Sequence, residues 1–231
     1  MKKRIAFSWS GGKDSALALY FLLNDDWYDV VYLISNFNAD GNLNMHAISS
    51  QLVQRQAAAI GIPLIEVHVE NNENGTYENA MRETLLSLKE EGIEEVAFGD
   101  IYLENLKEYR TKRLKEVGMT AIFPLWNKKP EDLIQLFLMY NFKSITCCVN
   151  ETLLGLPFIN RVIDFKFIEE LPENVDACGE NGEYHSFCFD GPIFSNPVDF
   201  NIEESRIKEY EFKMADGSVV RSTYRYSSLI A

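Results

Sequence analysis

The chain has 231 residues and a formal net charge of −13, and 46% of its residues are hydrophobic. This length fits one large domain, or one domain of ordinary size plus a smaller one, with a substantial core. The acidic balance argues against strong nonspecific binding to nucleic acid, which depends on lysines and arginines that meet phosphates, although it leaves room for a local basic patch. No apolar run approaches the length of a membrane span, and the basic start lacks the long apolar segment of a signal peptide. We therefore expect a cytoplasmic protein that makes no contact with a membrane.

The chain carries four cysteines, and no two of them have the C-x-x-C spacing. That spacing is typical of zinc ribbons and of thioredoxin-type redox sites, so neither is indicated. We expect buried free thiols, as is usual for proteins of a reducing cytoplasm.

Strands and helices alternate along the first half of the chain. A short apolar run, 5–7, precedes a Gly-rich turn and an apolar helix. Strands are then predicted at 30–34, 64–69, 95–98 and 120–123, and helices between them at 45–60, 77–91 and 103–117. This alternation predicts an α/β fold with a Rossmann-like, doubly wound and mostly parallel sheet.

The pattern changes near residue 125. A helix is predicted at 131–141, a strand at 143–149, and a hairpin from two alternating segments, 207–214 and 219–226, across Asp216-Gly217. We therefore predict a nucleotide-binding domain at 1–125 and a smaller C-terminal α+β unit at 126–231, which would hold the substrate.

The turn after the first strand has the composition of an anion site. Two adjacent glycines let the backbone approach a ligand, and the helix that follows offers its positive end to phosphate. The predicted nucleotide-binding residues are Ser10, Gly11, Gly12, Lys13, Asp14 and Ser15. A Walker loop needs four residues between its first glycine and Gly-Lys-[Ser/Thr], and that spacing is absent. The order resembles the PP-loop of ATP pyrophosphatases, whereas the plainer alternative is a β–α turn without a ligand.

Ligands of open α/β sheets bind beyond the carboxyl ends of the strands. Ser35, Asn36 and Phe37 follow the second predicted strand and could meet adenine by backbone hydrogen bonds and by stacking on Phe37, although a plain loop is equally consistent. Gly99 and Asp100 follow the fourth strand, so we expect the Asp100 carboxylate beside the phosphates, as a magnesium ligand together with Asp14.

Charged side chains further along the chain are candidates for catalysis. Arg110 lies on a charged helix and could either reach an anionic substrate or belong to a solvated face. Glu180, Glu183 and His185 stand close together before a predicted strand, where they could orient a magnesium ion, an amine or a carboxylate. The alternative is a turn with exposed acids, since Asn181-Gly182 is itself a turn signal. With Lys13 and Asp100, these residues form the predicted catalytic set.

With both clusters placed, nearly the full chain resembles the diphthine–ammonia ligase family of PP-loop proteins. The matching motifs, in chain order, are Ser10-Gly11-Gly12-Lys13-Asp14-Ser15, Gln56-Ala57, Gly61-Ile62-Pro63-Leu64, Gly99-Asp100-Ile101, Pro124-Leu125-Trp126, Gly179-Glu180-Asn181-Gly182-Glu183-Tyr184 and Asp190-Gly191-Pro192-Ile193-Phe194. The first motif is shared by many PP-loop enzymes, and the later ones, in this order, are specific to the family.

The resemblance implies a ligase that uses ATP and Mg²⁺ to activate a carboxylate as an acyl-adenylate, with release of pyrophosphate, for attack by ammonia. The carboxylate would be a small molecule or a modified protein side chain, either diphthine or another, because the segments expected to meet it differ from the family pattern. His185-Ser186, for example, stands where many members have Glu-Thr. A homodimer is possible on this interpretation. The alternatives are a PP-loop enzyme that modifies tRNA and an ATP-binding module without turnover.

Overall fold

A computed structural model of the protein describes residues 2–43, 48–69, 75–213 and 219–231. Two β-sheets and their helices make up these ranges. The elements are β1 (Lys3–Ser8), α1 (Lys13–Leu23), β2 (Tyr28–Phe37), α2 (Ser50–Ile60), β3 (Leu64–His68), α3 (Thr76–Glu90), β4 (Glu95–Ala97), α4 (Glu104–Glu116), β5 (Thr120–Ile122), α5 (Pro130–Met139), β6 (Lys143–Asn150), a 3₁₀ turn (Leu156–Phe158), α6 (Phe165–Glu169), β7 (Tyr184–Asp190), β8 (Asn201–Lys213) and β9 (Val219–Ile230).

The first sheet is parallel throughout and has the strand order β3-β2-β1-β4-β5. The predicted α/β fold, with a doubly wound parallel sheet, is therefore confirmed. The order of the strands reverses between β1 and β4, because successive strands are added first on one side of β1 and then on the other. A ligand of such a sheet binds at this switch point, beyond the carboxyl ends of the two strands.

Side chains that alternate along β1 divide the core between the two faces of this sheet. Phe7 packs with α1 and α2 in a large cluster that also includes Phe137 and Phe187 of the C-terminal half. Ala6 points to the other face, into a smaller cluster with Leu85 of α3 and other apolar residues of α3 and α4. The alternation of neighbouring side chains in a strand explains how one short strand serves both layers.

The second sheet is antiparallel and has the order β7-β6-β9-β8. It confirms the smaller C-terminal α+β unit. Strands β8 and β9 pair as the predicted hairpin, although its predicted turn, Asp216-Gly217, lies outside the described residues. The boundary near residue 125 stays a prediction. Helix α6 and the 3₁₀ turn had no prediction, because such short helices carry little periodicity.

Two predicted elements differ in length from those observed. Strand β2 extends to Phe37 rather than ending at residue 34, because its last residues pair with β3 in the register Ser35↔Glu66, Asn36↔Val67 and Phe37↔His68. The helix predicted at 45–60 is described from Ser50, with Ser49 as its cap, and its first predicted residues, 45–47, lie outside the described residues. Among the described helices, none combines the length and apolarity that crossing a bilayer requires.

Candidate functional site

The loop between β1 and α1 has the conformation that its glycines predict. Gly11 has φ +73°, in the left-handed region that favours glycine, and a Cβ atom there would lie 2.7 Å from Gln56 Oε1. Gly12 is the N-cap of α1, and a Cβ atom there would lie 3.1 Å from the Ser186 carbonyl oxygen. Close packing around the first turn of the helix therefore favours glycine at both positions, and most strongly at Gly11, where the positive φ also disfavours a side chain. The N–H groups of that turn have no partner four residues earlier within the helix, as at any helix start.

The side chain of Gln56, on α2, holds this loop in place through hydrogen bonds. Its side chain is fully buried, accepts a hydrogen bond from Trp9 Nε1 at 3.0 Å, and donates to the Gly11 carbonyl at 2.9 Å and the Cys188 carbonyl at 2.6 Å. Cys188 N donates in turn to the Gly11 carbonyl at 2.8 Å. The loop is thereby tied to both halves of the chain.

Lys13 is almost completely buried at the start of α1. Its Nζ lies 2.7 Å from Asp14 Oδ2 and also donates to the Cys178 carbonyl of the C-terminal half. Burial alone would lower the pKa of Lys13, but the ion pair with Asp14 and smaller contributions from Tyr184 and Cys178 together outweigh burial, and the pKa is raised. The ammonium group thus stays charged at the floor of the site, as a phosphate-binding lysine needs.

Three hydroxyl groups border the same turn. Ser10 Oγ and Ser15 Oγ lie 3.0 Å apart, and Ser15 Oγ also donates to the Gly12 carbonyl at 3.1 Å. Ser186, from β7, accepts a hydrogen bond from Lys13 N through its Oγ at 3.2 Å. The hydroxyl groups of Ser10 and Ser15 therefore meet in front of the loop, where the sequence predicted donors for phosphate.

The residues after β4 reach this loop directly. A Cβ atom at Gly99 would lie 3.0 Å from the Ser15 Cα and N atoms, so only glycine lets the end of β4 approach α1 so closely. Asp100 is 8% exposed, and its Oδ2 lies 2.9 Å from Arg110 Nε. The contact is an ion pair by distance, but its angles are poor for a hydrogen bond. Burial raises the pKa of Asp100, an effect that the Arg110 charge opposes.

The Glu180 carboxylate, on the loop before β7, closes the site from the other side. Its Oε1 accepts a hydrogen bond from Ile101 N at 3.0 Å, which links the C-terminal half to the end of β4. Burial, together with the nearby charge of Asp14, raises the pKa of Glu180 to about 7. The Asp14 charge raises the pKa of both Asp100 and Glu180, and the Asp100 charge also raises the pKa of Glu180.

Glu183 has a different role from the one predicted. It is 3% exposed, and its two oxygens accept hydrogen bonds from Asp176 N at 3.1 Å, Asn181 N at 2.9 Å and Asn181 Nδ2 at 3.1 Å. Its carboxylate therefore shapes the loop that carries Glu180. The predicted catalytic role of Glu183 is not supported, because its lone pairs are engaged by the protein. The turn of the alternative interpretation does form at 180–183, but its acids are not exposed, since Glu183 is buried and Glu180 is half-buried.

The converging groups enclose a cavity of about 410 Å³, which we call the loop cavity. It lies at the switch point of the sheet and has the size of a small-ligand site. The predicted residues that line it are Ser10, Gly12, Lys13, Asp14, Ser15, Gly99, Asp100, Arg110, Glu180 and His185. The structure thus brings together side chains that are up to 175 positions apart in the sequence.

Ser35, Asn36 and Phe37 are divided by the pleat of β2. Ser35 is buried and donates to the Trp9 carbonyl at 2.7 Å, while Phe37 is fully buried and stacks on His68 with ring centroids 5.5 Å apart. The expectation that adenine stacks on Phe37 is therefore wrong, because β2 continues through this residue and points its ring into the core. The side chain of Asn36 points to the opposite face of the sheet, toward α3 and α4.

Asn36 lines a second cavity of about 380 Å³, between α3 and α4, which we call the α3–α4 cavity. Apolar side chains form much of its wall, among them Ile34, Leu85 and Phe98. The two cavities adjoin, since Ser8, Ser10, Leu106 and Arg110 line both of them. The Arg110 guanidinium, 4.4 Å from the Phe98 ring centroid, stands between the cavities.

Several residues of this site had no role in the sequence prediction. The motif comparison included Gln56, but its function depends on three partners that are distant in the chain. Ser186 and Tyr224 of the second sheet reach the loop cavity only because of tertiary packing. One sequence signal for these residues was available: Gln56 is a polar residue within the apolar stripe of α2, and the structure shows that it is buried. All four cysteines are buried free thiols, as expected.

Two family models match the chain in succession. The diphthamide synthase N-terminal domain matches residues 2–121, and the diphthamide synthase C-terminal domain matches residues 129–219.

Curated relatives of similar length also match. The chain is 26% identical to a mouse protein named diphthine–ammonia ligase over 229 residues, which cover 84% of this chain and 82% of the mouse protein. The human protein of the same name is 23% identical over 222 residues, with coverage of 84% and 82%. Among solved structures, a U34-tRNA thiolase from Methanococcus maripaludis with a [4Fe-4S] cluster aligns with a TM-score of 0.37 and 20% identity, over 60% of this chain and 57% of that chain.

Proposed function

Because the chain belongs to the diphthamide synthase family and is an ATP-using ligase, we propose that it activates a substrate carboxylate as an acyl-adenylate, releases pyrophosphate, and forms an amide with ammonia. One observation carries the proposal: the Ser10–Ser15 loop, Asp100 and Glu180 converge on one cavity at the switch point of the sheet. That arrangement gathers phosphate donors and carboxylates around a single reacting centre.

ATP is bound across both cavities. The β- and γ-phosphates lie on the Ser10–Ser15 loop, where the start of α1, the hydroxyl groups and Lys13 neutralise their charge. The adenosine extends through the shared boundary into the α3–α4 cavity, whose apolar wall suits a purine ring. The α-phosphorus is then left near Arg110 and the open centre of the loop cavity, accessible to a nucleophile.

The loop cavity also fits a magnesium ion bound with ATP. Asp14, Asp100 and Glu180 offer the hard oxygen donors that Mg²⁺ prefers. Within the described residues, no group of three or more such side chains is arranged to hold a metal ion. Mg²⁺ would therefore take most of its ligands from phosphate and water, with Asp14 and Asp100 as the protein ligands. When bound, the ion would neutralise charge on the departing pyrophosphate.

The chemistry proceeds in two displacements. A carboxylate oxygen of the substrate attacks the α-phosphorus, and the bond from that phosphorus to the bridging oxygen breaks as pyrophosphate leaves. Ammonia then adds to the acyl carbon, loses a proton and expels AMP. Lys13 and the loop stabilise the leaving pyrophosphate, while Arg110 stabilises charge at the α-phosphate. Glu180 and His185 border the side where the amine enters, with Glu180 placed to accept its proton because its pKa is about 7.

Product analysis tests this proposal. The protein is incubated with ATP, Mg²⁺, ammonium and a panel of carboxylates that includes diphthine-containing elongation factor two, and phosphorus NMR follows the products. We expect AMP and pyrophosphate in equal amounts, and none with the variant Lys13→Met. The matched control Lys128→Met, at an exposed lysine, keeps full turnover. ADP and phosphate would contradict the proposal, and binding of ATP without any product would indicate a nucleotide-binding module.

A further inference from the structure

We propose that the side-chain amide of Asn36 selects adenine over 6-oxo purines by pairing with the 6-amino group and N7 of the base. The inference rests on the proposed function, because it places a nucleotide in the α3–α4 cavity. It goes beyond that function by assigning the choice of base to one side chain.

Asn36 lies where a base would be read. It is the second-last residue of β2, at the carboxyl end of the strand, and pairs with Val67 in the sheet. The pleat sends the side chains of Ser35 and Phe37 to the opposite face, where both are buried. Of these three residues, only Asn36 therefore faces the α3–α4 cavity.

The Asn36 amide has unsatisfied hydrogen-bonding capacity. Its Oδ1 atom is buried and has no hydrogen-bond partner within the part of the chain that the structure describes. An acceptor left in this state costs about 1–3 kcal/mol relative to a paired one. Part of the surrounding wall is apolar, since Ile34, Leu85 and Val96 carry no donor in their side chains. A ligand that brings a donor to Oδ1 recovers this free energy on binding.

Adenine supplies the matching pattern of donor and acceptor. Its 6-amino group donates and its N7 accepts, which a side-chain amide can satisfy together with Oδ1 and Nδ2. Guanine and hypoxanthine present two acceptors, O6 and N7, on the same edge. Either base would leave Oδ1 unpaired and facing an oxygen lone pair. A site that hydrogen-bonds a ligand group rejects analogues without it, since the buried partner is then left unpaired.

The position also agrees with the direction of the nucleotide. Ser8 and Ser10, at the end of the neighbouring strand β1, line both cavities. A triphosphate on the Ser10–Ser15 loop therefore directs its base across β1 toward β2, where the unpaired Oδ1 atom of Asn36 lies. Asn79 of α3 also lines the α3–α4 cavity and serves as a matched control.

Equilibrium binding in Mg²⁺ tests the inference without any need for turnover. Dissociation constants are measured for ATP, for purine riboside triphosphate, which lacks only the 6-amino group, and for GTP. We expect the unmodified protein to bind ATP at least tenfold more tightly than either analogue. In Asn36→Leu the preference for ATP, measured as the dissociation constant of purine riboside triphosphate divided by that of ATP, falls below about threefold, as one lost hydrogen bond implies. In Asn79→Leu the ratio stays at its original value.

Each other outcome is decisive. An ATP preference that survives unchanged in a folded Asn36→Leu protein overturns the inference, as does equal binding of all three nucleotides by the unmodified protein. Loss of the preference in Asn79→Leu instead would assign the base contact to α3. If no triphosphate binds the unmodified protein, the proposed function itself fails. The three ligands compared on the unmodified protein keep the test valid even if Asn36→Leu does not fold.

Discussion

Single residues in the loop cavity combine charge with burial. Lys13 and Asp14 form one ion pair, Asp100 and Arg110 form another, and Glu180 has no cationic partner within the distance of an ion pair among the described residues. Glu180 therefore bears the greatest cost of remaining ionised, which explains why its pKa rises to about 7. A carboxylate in this state can exchange a proton near neutral pH.

Stability should reflect the raised pKa of Glu180. The folded state holds this proton up to about pH 7, whereas an unfolded chain releases it near pH 4.5. The stabilisation is thus fully present below pH 4.5 and is lost as pH rises through 7. The variant Glu180→Gln keeps an acceptor for Ile101 N but cannot ionise. As pH rises from 5 to 8, we expect the unfolding free energy of the variant to increase by about 1–2 kcal/mol relative to that of the original protein.

Urea unfolding of the two proteins at several pH values measures this difference. If the unfolding free energies of the two proteins keep the same difference from pH 5 to pH 8, Glu180 does not have a raised pKa. In that case its assignment as the group that accepts the amine proton would lose its support.

The elements of the first sheet set the position of the phosphate loop, and α2 holds it there. Gln56 makes three hydrogen bonds at 2.6–3.0 Å from a fully buried position. Gln54, two residues earlier in the helix, is exposed and donates to Glu66 across the surface at 2.6 Å. The same residue type thus has a structural role on one face of α2 and little role on the other.

Replacing Gln56 by methionine tests this arrangement. The change removes the Gln56 partner of Trp9 Nε1 and of the Cys188 carbonyl, and leaves the Gly11 carbonyl with its bond from Cys188 N, while it preserves much of the volume. We expect a loss of about 3 kcal/mol or more in unfolding free energy, and ATP binding at least tenfold weaker, because the loop loses its support. The matched variant Gln54→Met should change stability by less than about 0.5 kcal/mol. Equal effects of the two changes in denaturant unfolding would contradict the role given to α2.

The sequence was sufficient to predict most of the strands and helices, but it was insufficient to predict which way individual side chains point. Alternating strands and helices predicted the parallel sheet, and the Gly-Gly pair predicted the loop, because both signals are local. The direction of Phe37 depended on β3 pairing as far as His68, which no local pattern reveals. Glu183 seemed equivalent to Glu180 in the sequence, yet backbone N–H groups of its own loop engage it. Long-range packing decided both cases.

The whole molecule completes the site from both halves of the chain. Lys13 N donates to Ser186 Oγ at 3.2 Å, Cys188 N donates to the Gly11 carbonyl at 2.8 Å, and one apolar cluster contains Leu17 of α1 together with Phe187 of β7. Because these contacts are buried and shared, neither half retains its packing when the other unfolds.

We therefore expect one cooperative unfolding transition for the whole chain. Differential scanning calorimetry should give a calorimetric enthalpy equal to the van't Hoff enthalpy. Mg²⁺ and ATP at 100 times the dissociation constant should stabilise the protein by about 2.7 kcal/mol. Two separate transitions, with only one of them moved by ATP, would contradict a site built from both halves.

The most direct test of the central claim is a crystal structure with Mg²⁺ and α,β-methylene ATP, which cannot be cleaved between the α- and β-phosphates. We predict that the β- and γ-phosphates contact the Ser10–Ser15 loop and Lys13, that the α-phosphorus faces the open part of the loop cavity, and that the adenine lies against Asn36. A triphosphate bound away from that loop, or one whose α-phosphorus is covered by the protein, would contradict the account.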